Sequence, residues 1–323
     1  MAIPPILAHL LLRYSRSLLL LLATTFIGVF LADVLFSKGL HRKIGRPLSP
    51  LLKAARLPEK LSVPMITGMI DFRAEHAMVS SLASNKALSH GEVVCYSLVS
   101  LPFGGSRAMI QYVLPVAVAG LGLTVGAIYV SLLVLGLFVG MVMGVVGGRI
   151  FLKGGRDIAL GNGARGRRAG GKVDLRKSLA RAASMTKGVG IRYVMVVMVL
   201  SLLLYFGVFE HLKSLSAPLA RAFLVSPASL PITITYAINP TAAILMAGES
   251  IKEGIVVWKE ALIALLVGRI IFAMISEFPR HSFPFYVSMY RPRLALKLTL
   301  ALILQVFVST PLLVLAVRLL PVA

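Results

Sequence analysis

The stretch that decides the fold is residues 61–84, LSVPMITGMIDFRAEHAMVSSLAS. Both of its ends are apolar, whereas its middle carries Asp71, Arg73, Glu75 and His76. Charged groups at membrane depth are costly, and they usually face a cavity or a partner. The pattern therefore predicts two half-helices that meet at a polar tip.

A second stretch, residues 230–250, repeats this plan as LPITITYAINPTAAILMAGES. Thr67 corresponds to Thr235, and Asp71 corresponds to Asn239. Asparagine is a favourable helix N-cap, and the proline that follows it suits the first helical position. The sequence thus predicts a helix restart at Asn239 and an equivalent restart at Asp71.

The composition indicates a membrane protein, because 58% of the 323 residues are hydrophobic and only 14% are charged. Lys and Arg number 34 against 12 Asp and Glu, which gives a net charge of +22. The apolar runs are long enough to span a bilayer, so this excess indicates membrane topology and lipid attraction, and we expect no nucleic-acid partner. The single cysteine, Cys95, excludes an intrachain disulfide and a multi-thiolate metal site.

The hairpin pattern belongs to a longer internal repeat. The first repeat covers residues 1–151, a basic linker covers 152–190, and the second repeat covers 191–323. Repeats of this kind are typical of transporters. The predicted membrane spans are 14–36, 90–115, 121–150, 192–209, 251–277 and 293–320.

Lys and Arg are concentrated in three segments, 37–60, 152–190 and 278–297. Cytoplasmic loops carry such an excess. Hairpins that crossed the membrane fully would place the first two segments on opposite faces, whereas re-entrant hairpins place all three inside. The sequence therefore predicts an all-α integral membrane protein of the cell membrane, with two inverted-topology repeats, about six full spans and two re-entrant helical hairpins.

Two features outside the hairpins predict contacts. The segments 37–60 and 152–190 are expected to touch anionic lipid, and residues 40–57 have the spacing of an amphipathic surface helix. The helix predicted at 121–150 carries glycines at every fourth position from Gly136 to Gly148, which indicates close approach of another helix.

A half-helix that begins at a hairpin tip offers unpaired amide groups and the positive end of its dipole. Two inverted hairpins would bring two such ends towards the membrane midplane, where transporters bind substrate. The alternative is that Asp71 pairs with Arg73 and merely caps its helix. The predicted substrate-binding residues are Thr67, Asp71, Arg73, Glu75, Thr235, Asn239 and Thr241.

Four further residues are predicted to line the cavity: His76, Arg107, Arg269 and Glu277. Arg269 and Glu277 are eight residues apart, which puts them on one face of an α-helix. The alternative interpretations are a packed His76 among core methionines and a Glu277 that anchors a helix end. We expect no metal site, no cofactor and no enzyme, because no Ser-His-Asp order, catalytic carboxylate pair or Cys/His spacing occurs.

The run from Gly91-Glu92 to Leu101-Pro102-Phe103-Gly104-Gly105-Ser106-Arg107, after a broken helix, resembles the nucleoside recognition or Gate domains of membrane proteins. These domains occur in nucleoside transporters, ferrous-iron permeases and sporulation-associated membrane proteins. The iron permeases have a cysteine in this turn, where the present chain has Gly104 and Gly105. The resemblance implies a transport-like fold without fixing the solute.

The expected function is a permease for a small polar solute, nucleoside-like by the resemblance, that alternates access around the two tips. One alternative is a cation or divalent-metal channel that uses Asp71, Glu75 and His76. The other is a membrane scaffold without transport. The sequence leaves open a coupling cation and a homo-oligomer.

Overall fold

The computed structural model describes residues 46–153, 175–205 and 225–321, together with a few positions between 19 and 30. These residues are mostly helical, and none of them lies in a strand. The expected all-helical class is thereby confirmed for the described residues, whereas six crossings and re-entry stay predictions. Three described helices are long and apolar enough to cross a membrane: Leu123–Phe151, Trp258–Met289 and Pro292–Leu319.

The described helices precede and follow the undescribed segment 154–174 in two groups. The first group comprises α1 (Ser49–Ala54), α2 (Ser62–Ile70), α3 (Phe72–Ser84), α4 (His90–Val99), α5 (Leu101–Ala108) and α6 (Leu114–Phe151). The second comprises α7 (Leu175–Tyr205), α8 (Leu230–Ile238), α9 (Pro240–Lys252), α10 (Trp258–Phe272), α11 (Phe283–Met289) and α12 (Pro292–Leu319). Short 3₁₀ turns lie at Arg46–Leu48 and Glu59–Leu61, and π-helical segments lie at Met109–Val113 and Ala273–Ser282.

The broken helix recurs with the same dimensions. Helices α2 and α8 each have 9 residues, and α3 and α9 each have 13. The breaks fall at Asp71 (φ −150°, ψ 116°) and Asn239 (φ −145°, ψ 103°), a constant offset of 168 positions from residue 71 to residue 239. The pair α2–α3 is called the first hairpin below, and α8–α9 the second hairpin.

The same offset relates features beyond the hairpins. Lys86 follows α3 with φ 56°, and Gly254 follows α9 with φ 70°. In each copy the next N–H donates back to a helical carbonyl at 3.0 Å. The segment Met109–Val113 corresponds to part of Ala273–Ser282, so both copies have π-helical turns at equivalent places. One structural plan is therefore used twice, over residues 62–151 and 230–319.

The contacts divide the chain into two compact units, and each unit takes residues from both copies. Unit 1 contains residues 1–104, 143–201 and 284–298, and unit 2 contains 105–142, 202–283 and 299–323. The sequence repeats and the compact units thus divide the chain differently.

In unit 1, the α1 segment packs on the end of α6. The guanidinium of Arg56 donates to the carbonyls of Arg149 and Leu152 at 2.8 and 3.0 Å, and the Arg149 Nε donates to Ala54 O at 2.9 Å. Cations beside the last carbonyls of a helix stabilise its C-terminus. Leu52 and Ala55 are fully buried in this contact region, so the described part of the predicted amphipathic segment is a packing element.

In unit 2, the second hairpin packs on α10. The Thr233 hydroxyl donates to Ala264 O at 3.1 Å, and Leu262, Leu265 and Leu266 are fully buried in the core. A Cβ at Gly268 would stand 2.5 Å from the Tyr236 Cβ, so only glycine permits this approach. Apolar burial of this kind contributes about 25 cal/mol per Å² of covered surface.

The glycine pattern of α6 serves close packing, as predicted. A Cβ at Gly144 would lie 2.8 Å from Cys95 O, and one at Gly148 would overlap Ala55 O. In the unit 2 part of the same helix, a Cβ at Gly136 would lie 3.3 Å from Leu313 Cδ1.

Several predicted boundaries change. The spans predicted at 121–150, 251–277 and 293–320 match the three span-length helices, although the second extends to Met289 through its π-helical segment. The prediction of one span at 90–115 is not matched by a candidate span among the described residues, because a turn at Ser100 separates α4 from α5. Residues 175–190 of the predicted linker belong to α7, which also holds the start of the span predicted at 192–209. The span at 14–36 lies largely outside the described residues, and segments 37–45 and 154–174 lie wholly outside them.

Candidate functional site

The tip of the first hairpin is built by Asp71. Its extended backbone interrupts the helix, and its Oδ1 accepts the N–H groups of Arg73 at 2.8 Å and Ala74 at 3.0 Å. Asp71 is therefore an N-cap, as predicted. The interpretation of Asp71 as the ion-pair partner of Arg73 is not supported, since the Arg73 guanidinium lies over the Phe72 ring at 5.5 Å.

The tip of the second hairpin has the same construction with a neutral group. Asn239 Oδ1 accepts the Ala242 N–H at 3.1 Å, which confirms the predicted N-cap. The Thr235 hydroxyl behind this tip donates to Met246 Sδ at 3.6 Å. The two tips differ in charge, because one is capped by a carboxylate and the other by an amide.

The threonine of the first hairpin also bonds within its own hairpin. The Thr67 hydroxyl donates to Val63 O at 2.9 Å and to Met78 Sδ at 3.6 Å. The bond to methionine matches that of Thr235 in partner type and length. These hydroxyl hydrogen bonds stabilise the hairpins. A solute that accepted a hydrogen bond from either hydroxyl would have to replace the methionine sulfur as its acceptor.

The residues before the two caps are strongly exposed. Ile70 is 69% exposed and Ile238 is 70% exposed. Asn239 and Thr241 are also exposed, whereas Asp71 and Arg73 are half-buried. Each tip thus presents a capped helix N-terminus beside an apolar residue.

Behind the first tip lies the buried carboxyl of Glu75, which is 1% exposed. Its Oε1 accepts the Tyr96 hydroxyl at 2.7 Å, and the Ser100 side chain lies near the carboxyl. Two glycines make room for it: a Cβ at Gly68 would overlap Oε2, and one at Gly104 would lie 3.3 Å away. The described hydrogen-bond partner of Glu75 is a hydroxyl group rather than a cation.

Burial changes the titration of both ionisable groups behind this tip, which lies outside the three span-length helices. Desolvation raises the pKa of the Glu75 carboxyl to about 8, against the smaller lowering effects of the Tyr96 and Ser100 hydroxyls. Desolvation also lowers the pKa of His76 to about 4. Near neutral pH the interior of the first hairpin is therefore largely uncharged.

His76 is packed in an aromatic cluster. Its Nδ1 lies 2.8 Å from the Tyr290 hydroxyl, which in turn donates to the His76 carbonyl at 3.2 Å. The rings of Phe72, Phe285 and Tyr286 surround the imidazole at centroid distances from 5.2 to 6.3 Å. These contacts favour the interpretation of His76 as a packed residue.

Unit 2 has a different polar cluster behind the second hairpin. The hydroxyls of Tyr129 and Tyr236 are 3.1 Å apart. The Arg269 guanidinium acts electrostatically on both phenols, and its Nη1 is buried without a hydrogen-bond partner among the described residues. The predicted cavity residue Arg269 therefore belongs to a tyrosine cluster.

The large polar residue and the small residue exchange positions between the two hairpins. At the constant offset, Gly68 and Glu75 of the first hairpin correspond to Tyr236 and Ala243 of the second. The first copy thus pairs an acid with a glycine, whereas the second pairs a tyrosine with an alanine.

The prediction that Arg269 and Glu277 share a helix face rested on α-helical spacing. The segment Ala273–Ser282 is π-helical, so its wider turns alter that register. Glu277 Oε1 accepts the Ser282 hydroxyl at 3.0 Å. Arg107 lies in α5, and its side chain lies outside the description.

Potential metal ligands do not cluster in the described part of the chain: no group of three or more His, Cys, Asp and Glu occurs there.

Sequence reasoning missed the tyrosines that organise both clusters, Tyr96, Tyr290, Tyr129 and Tyr236. Alignment of the two copies could have found Tyr236, because a tyrosine opposite Gly68 is a large change of volume at an equivalent position.

Together these elements define a helical protein with span-length helices and two copies of a capped, broken hairpin. Two proteins of Methanocaldococcus jannaschii are similar to the chain. The uncharacterized protein MJ0880 is 26% identical over 273 residues, which cover 84% of this chain and 88% of the relative. The uncharacterized protein MJ0871 is 26% identical over 308 residues, which cover 93% of each chain. No family model matches the chain, and no solved structure matches it.

Proposed function

We propose that the chain is a membrane permease for a small polar solute, which passes by alternating access around the two hairpin tips. The observation that carries this proposal is the repeated break, in which Asp71 and Asn239 cap new helices with nearly identical backbone geometry. A capped helix N-terminus presents remaining amide donors and the positive end of the dipole. Discontinuous helices of this kind form the binding sites of transporters built from repeats.

The membrane part of the proposal is supported by the three span-length apolar helices. In the proposed topology the hairpins re-enter, the repeats are inverted, and segments 37–60, 152–190 and 278–297 face the cytoplasm. The basic segments would then rest on anionic lipid. A coupling cation would be attracted to the Asp71 carboxylate. The second tip has the neutral Asn239 amide at the equivalent position.

The nucleoside class comes from the sequence resemblance alone. Thermal stabilisation of the purified chain separates the candidate functions, with Asp71→Asn as the matched variant that keeps the cap. Stabilisation by nucleosides or related small polar solutes supports the permease. Stabilisation by divalent metal ions alone would favour the cation channel, and stabilisation by neither class would favour the scaffold.

A further inference from the structure

We propose that unit 2 contains an anion-binding site centred on Arg269, which receives a carboxylate or phosphate group of the permeated solute. This inference rests on the proposed permease function only in that the bound anion belongs to the solute that crosses the membrane. Binding of the anion itself is a property of the Arg269 cluster.

The Arg269 guanidinium has a buried donor without a partner among the described residues. The donor is Nη1, and Arg269 lies in a span-length helix. A buried N–H donor that is left without an acceptor is unfavourable. The described glutamates of unit 2 do not supply the acceptor: Glu249 bonds to Lys252, Glu260 to Ser226 and Glu277 to Ser282, and no bond joins Glu253 to Arg269.

Two tyrosine hydroxyls lie near the Arg269 guanidinium. They belong to Tyr129 and Tyr236 and are 3.1 Å apart. A Cβ at Gly136 would lie 3.6 Å from Nη1, so α6 leaves space for the guanidinium at that position. One of the two hydroxyls donates to the other, and the second keeps its proton. A guanidinium with a nearby hydroxyl donor suits the oxygens of a carboxylate or phosphate, to which arginine forms two parallel bonds.

Arg269 has no basic counterpart in the first copy. At the constant offset Arg269 corresponds to Leu101, and Tyr236 corresponds to Gly68. A cation needed only to build the repeated fold would be expected in both copies. Its presence in the second copy alone indicates a role specific to that copy, and an arginine in a membrane segment usually marks the path of a substrate.

The test measures thermal stabilisation of the full-length chain in an uncharged detergent. Sodium phosphate and sodium acetate are each compared with sodium chloride at equal ionic strength. We expect phosphate or acetate to raise the melting temperature of the wild type. Arg269→Gln should abolish the rise, whereas Lys252→Gln, which removes an exposed cation of the same unit, should keep it.

Arg269→Lys covers the case in which the glutamine variant does not fold. It keeps the charge and loses the planar fork, so we expect roughly ten- to hundredfold weaker anion binding. Equal stabilisation of wild type and Arg269→Lys would overturn the site, as would the absence of stabilisation by both anions. Stabilisation by phosphatidylglycerol alone would also overturn it, because the bound group would then be a lipid headgroup.

Glu210 lies outside the described residues and is the remaining carboxylate in the sequence of unit 2. Glu210→Gln should leave anion binding unchanged. Strongly non-additive destabilisation of Glu210→Gln and Arg269→Gln would reveal an internal ion pair and overturn the inference. Anion binding without uptake into vesicles would instead contradict the permease and leave this site intact.

Discussion

At the scale of single residues, the two caps perform the same backbone task with different charges. Asp71 accepts two amide groups and Asn239 accepts one, and both residues interrupt a helix that restarts immediately. The cap was predictable from sequence, because Asp and Asn are favourable N-caps. Its consequence is that the charge of Asp71 can be removed without removing the cap.

We therefore expect Asp71→Asn to keep the stability of the fold and Asp71→Ala to reduce it by about 0.5–2 kcal/mol. Thermal unfolding of the purified variants measures this difference. If the carboxylate also binds solute or a coupling cation, Asp71→Asn should weaken solute binding at unchanged stability. Equal destabilisation by asparagine and alanine would contradict the capping role.

Glu75 gives the stability of the protein a specific pH dependence. The unfolded chain releases the Glu75 proton near pH 4.5, whereas the folded chain holds it to about pH 8. Unfolding thus releases a proton between these values, so the contribution of Glu75 to stability falls as the pH rises through this window.

The measurement is the difference in thermal stability between wild type and Glu75→Gln from pH 5 to pH 8. Both proteins retain His76, so the effect of its lowered pKa on stability cancels in the difference. The difference therefore reports the titration of Glu75. We expect wild type to lose stability relative to Glu75→Gln as the pH rises. A constant difference across this range would contradict the protonated state.

At the scale of elements, the first hairpin closes around the Glu75 carboxyl because Gly68 has no side chain. Gly68→Ala should cost about 1–3 kcal/mol, since its methyl group would overlap Oε2. The same change in a Glu75→Ala background should cost much less, as the second hairpin suggests with Ala243 at that position. A double-mutant cycle on unfolding free energies measures the coupling, and an equal cost in both backgrounds would contradict the packing.

The junction of α1 and α6 allows a comparison of two neighbouring glycines. A Cβ at Gly148 would overlap the Ala55 carbonyl oxygen, whereas one at Gly147 would make an ordinary 3.6 Å contact with Cys95 Sγ. Gly148→Ala should lower the unfolding free energy by about 1–3 kcal/mol. Gly147→Ala should be neutral or stabilising by up to about 1 kcal/mol, because alanine favours helix. Similar effects of both changes would show that α1 does not dock tightly.

The elements also show where sequence reasoning succeeds and fails. The breaks at Asp71 and Asn239 carry local signals, namely a capping side chain and, in the second copy, a proline. The π-helical segment at Ala273–Ser282 carries no comparable signal, so the wider turns between Arg269 and Glu277 could not be predicted from the sequence. The partners of Glu75 were equally hidden, because Tyr96 and Gly104 reach it only through tertiary packing.

At the scale of the whole molecule, the duplication is the organising feature. The two copies share the lengths of their hairpin helices, the caps and one positive-φ turn, yet the first carries the buried Glu75 and the second carries Arg269 with its buried Nη1. The two copies therefore share a backbone plan but differ in their buried polar side chains. The proposed permease uses the shared backbone plan for its two tips and the differing side chains for recognition of the solute.

The most direct test of the permease is uptake of the stabilising solute into vesicles that contain the purified chain. The account predicts uptake above protein-free vesicles by wild type and by Lys252→Gln, the exposed control. Asp71→Ala and Asn239→Ala should each reduce uptake by roughly tenfold or more, since each removes a tip hydrogen-bond acceptor. Uptake no greater than in protein-free vesicles, or full uptake by folded tip variants, would contradict the proposal.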